Sequence, residues 1–510
     1  MKLKKLLSSI LSTNAAFVIL LLLQIFFLIF MVASLGERFV MVYFLLIVLD
    51  IVLLIYITNK NEPISYRMAW IVAISIFPLF GGVSYLFLKL TQQFPKSLDM
   101  RNQKQSKELL VQEKAVMDEL SLSCPDSLNL ARYISDYGLY PVYRNTDTEY
   151  FPLGEMQFEG LIAELEKAEH FIFLEFFIIT KGYMFDTMSE LLIRKAKQGV
   201  DVRLMYDGIG TGMLNSVKPF RRLAENGVKC KVFNPFRPMI SSVQNNRDHR
   251  KIVVIDGHTA FNGGTNLADE YINRRERFGH WKDTAIMVRG QAVWNYTVMF
   301  LQLWEKAESD EIRKFSPPLS PIGNIGHSDG FIQPFSDSPL DEEPVGKRVY
   351  LELISNARNY VCITTPYLIL DEEMTNALGF AAKKGVDVRI ITPHIPDKWY
   401  VHMIAWNNYE RLTAAGVKIY EYTPGFIHAK TCVADGLTAV VGTINFDYRS
   451  FYLHFECGSV LYDVSVIKDI VSDFEKTVKA SHLITAEECS KRSVSKKIAG
   501  AILNIFAPLL

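Results

Sequence analysis

The chain has no surplus of charge of either sign, since 55 Lys and Arg balance 55 Asp and Glu. A protein that grips nucleic acid needs a broad basic excess to neutralise the polyanion, so this balance argues against such a partner. Cysteine is scarce, and Cys124, Cys230, Cys362, Cys432, Cys457 and Cys489 form no CxxC pair, which removes the usual thiolate-zinc and dithiol signatures. His170, His258, His280, His394 and His402 show no metal-ligand spacing either, so neither metal nor cofactor is expected. Long apolar runs nearly free of charge are confined to the first 90 residues.

Those runs, 14–35, 39–57 and 68–88, each approach the roughly 20 residues that a membrane helix requires. No small-residue cleavage site follows them, so residues 1–90 read as retained transmembrane helices and the protein as a multi-pass protein of the cell membrane. Pro78, Gly81 and Gly82 should break or kink the third run, and the count stays open between two and three spans. Orientation is also open: Lys2, Lys4 and Lys5 favour one side, and Lys89, Lys96, Arg101, Lys104 and Lys107 the other. Residues 91–130 have the mixed-charge composition of a solvated linker helix. At the other end, 488–510 places Lys491, Arg492, Lys496 and Lys497 before the apolar "IAGAILNIFAPLL", the pattern of an interfacial helix.

What the rest of the chain has is internal repetition. "AKQGVDVRLMYDG" from Ala196 matches "AKKGVDVRIITPH" from Ala382, and "RRLAENGVKCKVFNP" from Arg221 matches "ERLTAAGVKIYEYTP" from Glu410. Each half alternates apolar strands with amphipathic helices, which predicts an α/β class: two α/β lobes, mixed or mostly parallel, related by approximate two-fold symmetry. The first lobe should run over 131–315 and the second over 346–487, joined by a Pro-, Gly-, Ser- and acid-rich linker at 316–345.

The repeat ends each time in the same constellation. His249, Lys251 and Asp256 lie in "DHRKIVVIDG", and His428, Lys430 and Asp435 in "FIHAKTCVADG", both reading HxKxxxxD. A GxxN tetrad follows each at the same offset, ending at Asn266 and Asn445. A phosphodiester repels nucleophiles, so an enzyme without a metal needs fixed cations, amide donors and a nucleophile that works at neutral pH. Lys251 and Lys430 supply charge, Asn266 and Asn445 supply amides, and the two histidines can divide attack and proton donation between them. With His and Lys two residues apart, both point to one face of a strand. One shared site therefore requires the two halves to face each other.

On these strings, together with "GGTNLADEY", "HWKDTAIMVRG", "TPYLILD" and "GTINFDYRSF", the chain resembles the phospholipase D superfamily and, within it, the bacterial cardiolipin synthases. The resemblance implies a phosphatidyltransferase that moves a phosphatidyl group from one phosphatidylglycerol to another through a phosphohistidine, releasing glycerol. Its partners would be phosphatidylglycerol and membrane lipid, with no nucleic acid. It implies His249 as nucleophile and His428 as acid, though the residues themselves do not fix that order. It places Asp256 and Asp435 in the motif with roles more structural than chemical. Asp283 and Glu456, in the aligned "HWKDTAIMV" and "LHFECGSVL", would accept from the second ring nitrogens of the histidines. One departure is His454, where the family pattern suggests Asn. A hydrolase that passes the intermediate to water is the nearest alternative, a membrane-tethered nuclease a more distant one, and a scaffold without activity would have lost a motif residue. Oligomeric state cannot be read from the sequence.

Overall fold

The computed structural model describes residue 26 and residues 40–90, 96–211, 218–235, 245–304, 308–316, 329–341 and 343–509. Apart from Phe26, the first apolar run therefore lies outside the described residues, as do the lysines before it and most of the linker's Pro- and Gly-rich part. The chain divides into a small helical unit, chiefly residues 1–95, and a large unit that contains both repeats.

In the small unit the second apolar run forms a helix over Val40–Thr58. The third is not one span. It breaks at Phe77 into helices Ile64–Ile76 and Pro78–Leu90, because proline cannot continue the helical hydrogen bonding and its ring crowds the preceding turn. At about 1.5 Å per residue each half is roughly 20 Å long, short of a bilayer core of about 30 Å. The halves fold back on each other, and Gly81 permits the contact: a Cβ there would lie 2.5 Å from Ile74 Cα. Leu53, Ile57, Trp70, Ala73, Ile74 and Tyr85 form the shared core. Among the described residues no helix is long and apolar enough to cross a membrane. Helix Val40–Thr58 nevertheless exposes Phe44, Leu45, Ile51, Val52 and Ile55.

The large unit holds two sheets of matching topology. The first contains β1 (Thr146–Phe151), β2 (Phe171–Phe176), β3 (Asp201–Asp207), β4 (Lys229–Phe233), β5 (Ile252–Ile255), β6 (Thr259–Gly263) and, after the short β7 (His280–Lys282), β8 (Ala285–Gly290). Its order is β1-β8-β6-β5-β2-β3-β4. The second contains β9 (Phe331–Asp337), β10 (Tyr360–Thr364), β11 (Asp387–Pro393), β12 (Lys418–Tyr422), β14 (Thr431–Ala434), β15 (Thr438–Gly442), β16 (Glu456–Tyr462) and β17 (Ser481–Ile484), with β13 (Gly425–Ile427) set apart. Its order, β17-β12-β11-β10-β14-β15-β16-β9, is the first order repeated with β17 added at the edge. Three strands in each sheet are parallel, β2-β3-β4 and β10-β11-β12, and the remaining pairings are antiparallel. The sheets are thus mixed.

Both faces of the first sheet are covered. Ile172 and Leu174 of β2 pack with Leu161, Leu165, Met188 and Leu192 on one side, while Phe173 stacks on Phe300 at 4.8 Å on the other. Each such buried aliphatic or aromatic side chain contributes roughly 1.5–3 kcal/mol. Strand β9 falls inside the expected linker. Its Pro334 lacks an amide hydrogen, which an edge strand tolerates; among the described strands β9 pairs with β16, with a single bridge from Ile332 to Tyr143 on its other side. The expected linker helix of 91–130 is instead two main helices, Lys96–Leu109 and Lys114–Ser123. It is no solvated spacer: Trp294 Nε1 donates to Leu109 O at 3.0 Å, and Gln302 Nε2 to Asn102 O at 3.0 Å. The tail forms helices Ala486–Lys491 and Val494–Phe506, the latter exposing Val494, Ile498, Ile502 and Ile505.

Asp256 and Asp435 sit at the far ends of β5 and β14 from the histidines. Each begins an Asp-Gly turn with positive φ, 50° and 70° at Asp256 and Gly257 and 54° and 69° at Asp435 and Gly436, a conformation these two residue types tolerate. The Asp256 carboxylate accepts from the amides of Glu169, His170 and Phe171 at 2.7–2.8 Å. That of Asp435 accepts from Arg358, Asn359 and Tyr360 at 2.7–2.9 Å. These bonds fasten the entry to the first parallel strand of each sheet and leave the two aspartates no part in a reacting centre. Asp435→Ala should cost about 2 kcal/mol through the lost charge-assisted bonds. A fall of a few degrees in melting temperature, with activity per folded molecule largely kept, is the expected result.

Candidate active site

Two crossed backbone pairings join the lobes. His249 N donates to Phe455 O at 2.9 Å and Phe455 N to Arg247 O at 2.8 Å. In the other direction, His428 N donates to Lys282 O at 2.7 Å, beyond the parallel pairing of β13 with β7. Phe455 and Lys282 each directly precede an acidic residue, so each histidine is delivered to the carboxylate of the opposite lobe. His249 Nδ1 lies 2.9 and 3.0 Å from the two oxygens of Glu456, and His428 Nδ1 lies 2.7 Å from Asp283 Oδ2.

The histidine and lysine expected on the motif strands lie just ahead of them: β5 opens at Ile252 and β14 at Thr431, so both residues stand on the extended segments before the strands. Alternation still sorts their side chains. His249 and Lys251 turn to the centre, while Asp248 and Arg250 turn away, where Arg250 Nε meets Glu175 Oε1 at 2.7 Å. Arg247 Nε meets both oxygens of Asp207 at 2.9–3.0 Å, and these buried ion pairs clamp the segment from behind.

Every group at the centre is buried. Nothing there keeps its ordinary hydration, and the proton affinities respond. Burial, then Lys251, holds His249 well below the usual imidazole range, and burial, then Lys430, does the same for His428. Burial pulls Lys251 down to about 8 and Lys430 down to about 7. Burial also lifts Asp283 to about 7 against the opposing pull of Lys430. Lys430 Nζ stands 2.8 Å from His428 Nδ1 and donates to His428 O, so ammonium and imidazolium compete in the same corner. An anion placed between the lysines would relieve both.

The tetrad asparagines are close but not equivalent. Asn266 Oδ1 accepts from Ile178 N at 2.9 Å and its Nδ2 donates to Tyr271 OH at 2.7 Å, so part of its donor capacity is already used. Asn445 is buried and its Oδ1 has no hydrogen-bond partner. Several further residues escaped the sequence reading. Thr443, the second residue of "GTIN", donates through Oγ1 to Glu456 Oε2, and Ser450 Oγ donates to Oε1 at 2.7 Å. Phe177 and Tyr271 meet the rings of His249 and His428 edge-on, at 5.0 and 5.3 Å. Lys398, outside both motifs, adds positive charge to both histidines. Thr443, Ser450 and Tyr271 at least lie near a motif in sequence, whereas Phe177 and Lys398 carry no such signal.

His249, His454 and Glu456 bring ligand-type atoms within 4.8 Å of one another. The surrounding charge is unsuited to a divalent cation, because Lys251, Lys430 and Arg449 all contribute positive potential there. What the arrangement suits is an anionic, tetrahedral group. Each Nδ1 faces a carboxylate, which leaves each Nε2 for the substrate, and two ammonium groups neutralise charge.

Fold and site together define a duplicated phospholipase D-like phosphotransfer fold, in which each half-site takes its histidine from one lobe and its carboxylate from the other. The family model described as "Cardiolipin synthase, PLD-like domain" matches residues 161–304 and 350–478, and one described as "Phospholipase_D-nuclease N-terminal" matches residues 48–89. A cardiolipin synthase of Geobacillus kaustophilus is 34% identical over 464 residues, covering 89% of this chain and 91% of its own. One from Geobacillus sp. (strain WCH70) is 35% identical over 476 residues, with 89% and 91% covered. An uncharacterized protein of Streptococcus mutans is 44% identical over 458 residues, 89% of this chain and 99% of its own. Among solved structures, phosphatidylserine synthase from Haemophilus influenzae superposes with a TM-score of 0.55 at 14% identity, over 75% of this chain and 98% of that one, a likeness of fold. The chain belongs to the cardiolipin synthase family of the phospholipase D superfamily.

The lysine shifts predict a pH-dependent anion site. Because both pKa values are lowered, both ammonium groups are charged below about pH 6 and lose their protons as pH rises through about 7 and 8. Sulfate keeps a constant charge over that range. Its affinity, measured by calorimetry, should fall at least about tenfold between pH 6 and pH 9, the size expected for losing one or two charge-assisted bonds.

Proposed function

We propose that this chain is a cardiolipin synthase, with His249 and His428 acting on one phosphorus. The observation that supports this most directly is the crossed contact of His249 with Glu456 and His428 with Asp283, which needs both lobes to complete either half-site. In the first step His249 Nε2 attacks the phosphorus of phosphatidylglycerol. An N–P bond forms, the P–O bond to glycerol breaks, and His428 gives its proton to the departing alkoxide. In the second, the terminal hydroxyl of another phosphatidylglycerol attacks the phosphorus, its proton passes to His428, and the N–P bond breaks to free His249. Cardiolipin and glycerol are the products. The phosphodiester energy stays in the phosphohistidine, so no nucleotide enters.

The carboxyl partners support this order of roles. Asp283, lifted to about 7, can hold a proton near neutrality, so the Asp283–His428 pair is a proton reservoir suited to the acid. Glu456 takes donors from Thr443 and Ser450 as well as His249, an arrangement suited to keeping a carboxylate fixed behind a nucleophile. Lys251 and Lys430 would neutralise the phosphoryl oxygens, with Asn445 and the remaining amide hydrogen of Asn266 as neutral donors.

Membrane attachment belongs to the same reading. The exposed apolar face of helix Val40–Thr58 and the family match at residues 48–89 support a multi-pass membrane protein, with phosphatidylglycerol drawn from the surrounding lipid. The broken third run would then enter the bilayer as a hairpin.

Labelled phosphatidylglycerol incubated with the purified chain should yield cardiolipin and glycerol; phosphatidate as the main labelled lipid would identify a hydrolase instead. His249→Ala and His428→Ala should each lower cardiolipin formation by at least roughly 10³-fold without loss of expression, since each removes one partner of a concerted pair. Near-normal turnover in either variant defeats the assignment. EDTA should leave the rate unchanged, because the cationic charge comes from lysine.

A further inference from the structure

A third imidazole lies beside His249 in the buried site, and the two-histidine reaction does not use it. The third, His454, is buried in the segment between helix Tyr448–Tyr452 and β16. Its ring centroid lies 5.4 Å from that of His249, and Phe177 packs against both rings, at 5.0 Å from His249 and 6.4 Å from His454. Its Nδ1 is 3.7 Å from Glu456 Oε1, the oxygen that His249 Nδ1 meets at 2.9 Å, and has no hydrogen-bond partner. On the far side, Arg449 Nε stands 3.4 Å from His454 Nε2.

That last contact fixes a tautomer. A guanidinium nitrogen only donates, so His454 Nε2 accepts and the ring hydrogen of the neutral imidazole sits on Nδ1, facing Glu456. The ring is neutral throughout the working range, because burial, then Arg449 and His249, bring its pKa down to about 3. His454 therefore presents an uncharged N–H donor, stopped roughly 0.7 Å beyond ordinary hydrogen-bond reach of a buried carboxylate.

The pseudo-symmetry of the fold sharpens the point. In the repeat, "HWKD" aligns with "LHFE", so the counterpart of His454 is Trp281, whose ring lies 5.5 Å from His428. The proposed acid thus has an indole beside it and the proposed nucleophile an imidazole. An indole carries no second ring nitrogen through which a neighbouring arginine could set its polarity. At these related places the two half-sites differ in the one property that would separate a nucleophile's carboxylate from an acid's.

We propose that His454, held in its Nδ1–H form by Arg449, is a positioning residue that steers Glu456 Oε1 against His249 while the N–P bond forms. It acts through Glu456 and touches no reacting atom. As His249 takes up the phosphoryl group its ring becomes positive and draws the carboxylate inward, and the His454 donor follows to close the gap. Without that donor, Oε1 keeps only Ser450 and His249 as partners, and the carboxylate is free to turn toward Thr443.

This rests on the phosphatidyl-transfer reading, and the test separates the two. Glycerol release from phosphatidylglycerol in detergent micelles reports attack by His249 whichever acceptor follows, so it serves equally if the lipid product proves to be phosphatidate. In the full chain, His454→Asn, which keeps an N–H donor in a smaller side chain, should hold kcat within about fivefold of wild type. His454→Leu fills the space without a donor and should lower kcat at least about 30-fold with KM within about twofold, the size of one hydrogen bond to a charged group. His454→Met is the second donor-free variant should the leucine form not fold. Activity that follows the donor rather than the volume supports the proposal. Leucine or methionine at wild-type speed, or asparagine as slow as leucine, overturns it.

Discussion

The site depends on one constraint: the backbone of each motif segment is paired with the strand that carries the other lobe's acidic residue. His249 N to Phe455 O and His428 N to Lys282 O are two ordinary hydrogen bonds. Because they precede Glu456 and Asp283 by one residue, they set both histidine–carboxylate distances at once. The lobes are held in register by the bonds that assemble the chemistry, and the interface is secured further by Asn262 Nδ2 on Cys457 Sγ at 3.1 Å and by Tyr296 with Ser459.

Electrostatics then follow from burial. Two lysines, two histidines and two carboxylates are packed together without solvent, and the free site is under strain of charge: the lysines lose affinity for protons, the imidazoles stay neutral and Asp283 is pushed toward protonation. On the proposed reading, a phosphodiester between Lys251 and Lys430 would supply the balancing negative charge. Part of the attraction for an anion would thus come from buried cations that have exchanged hydration for protein surroundings.

Much of this was legible in the sequence because duplication makes a pattern hard to produce by accident. The repeated "GVDVR" and "GVK" strings announced matching lobes, and the strand orders of the two sheets agree position by position. Asp283 and Glu456 were found by aligning one repeat on the other. What could not be read were features set by three-dimensional proximity alone. Lys398 has no spacing that relates it to either motif, and Thr443 and Ser450 look like ordinary polar residues until the chain brings them to Glu456. Strand β9 was hidden in a Pro- and Ser-rich stretch because an edge strand can accept Pro334. The break or kink expected at Pro78 was legible, but the folding back of the two halves, with the close approach that Gly81 allows, was not.

Crossed wiring has an evolutionary corollary. A lone half contains a histidine but not the carboxylate behind it, so a one-lobe ancestor with this geometry would have reacted only as a pair of identical copies. A chain that encodes both halves has no need of sameness: an indole stands beside one imidazole and an imidazole beside the other, which gives the cradle a direction.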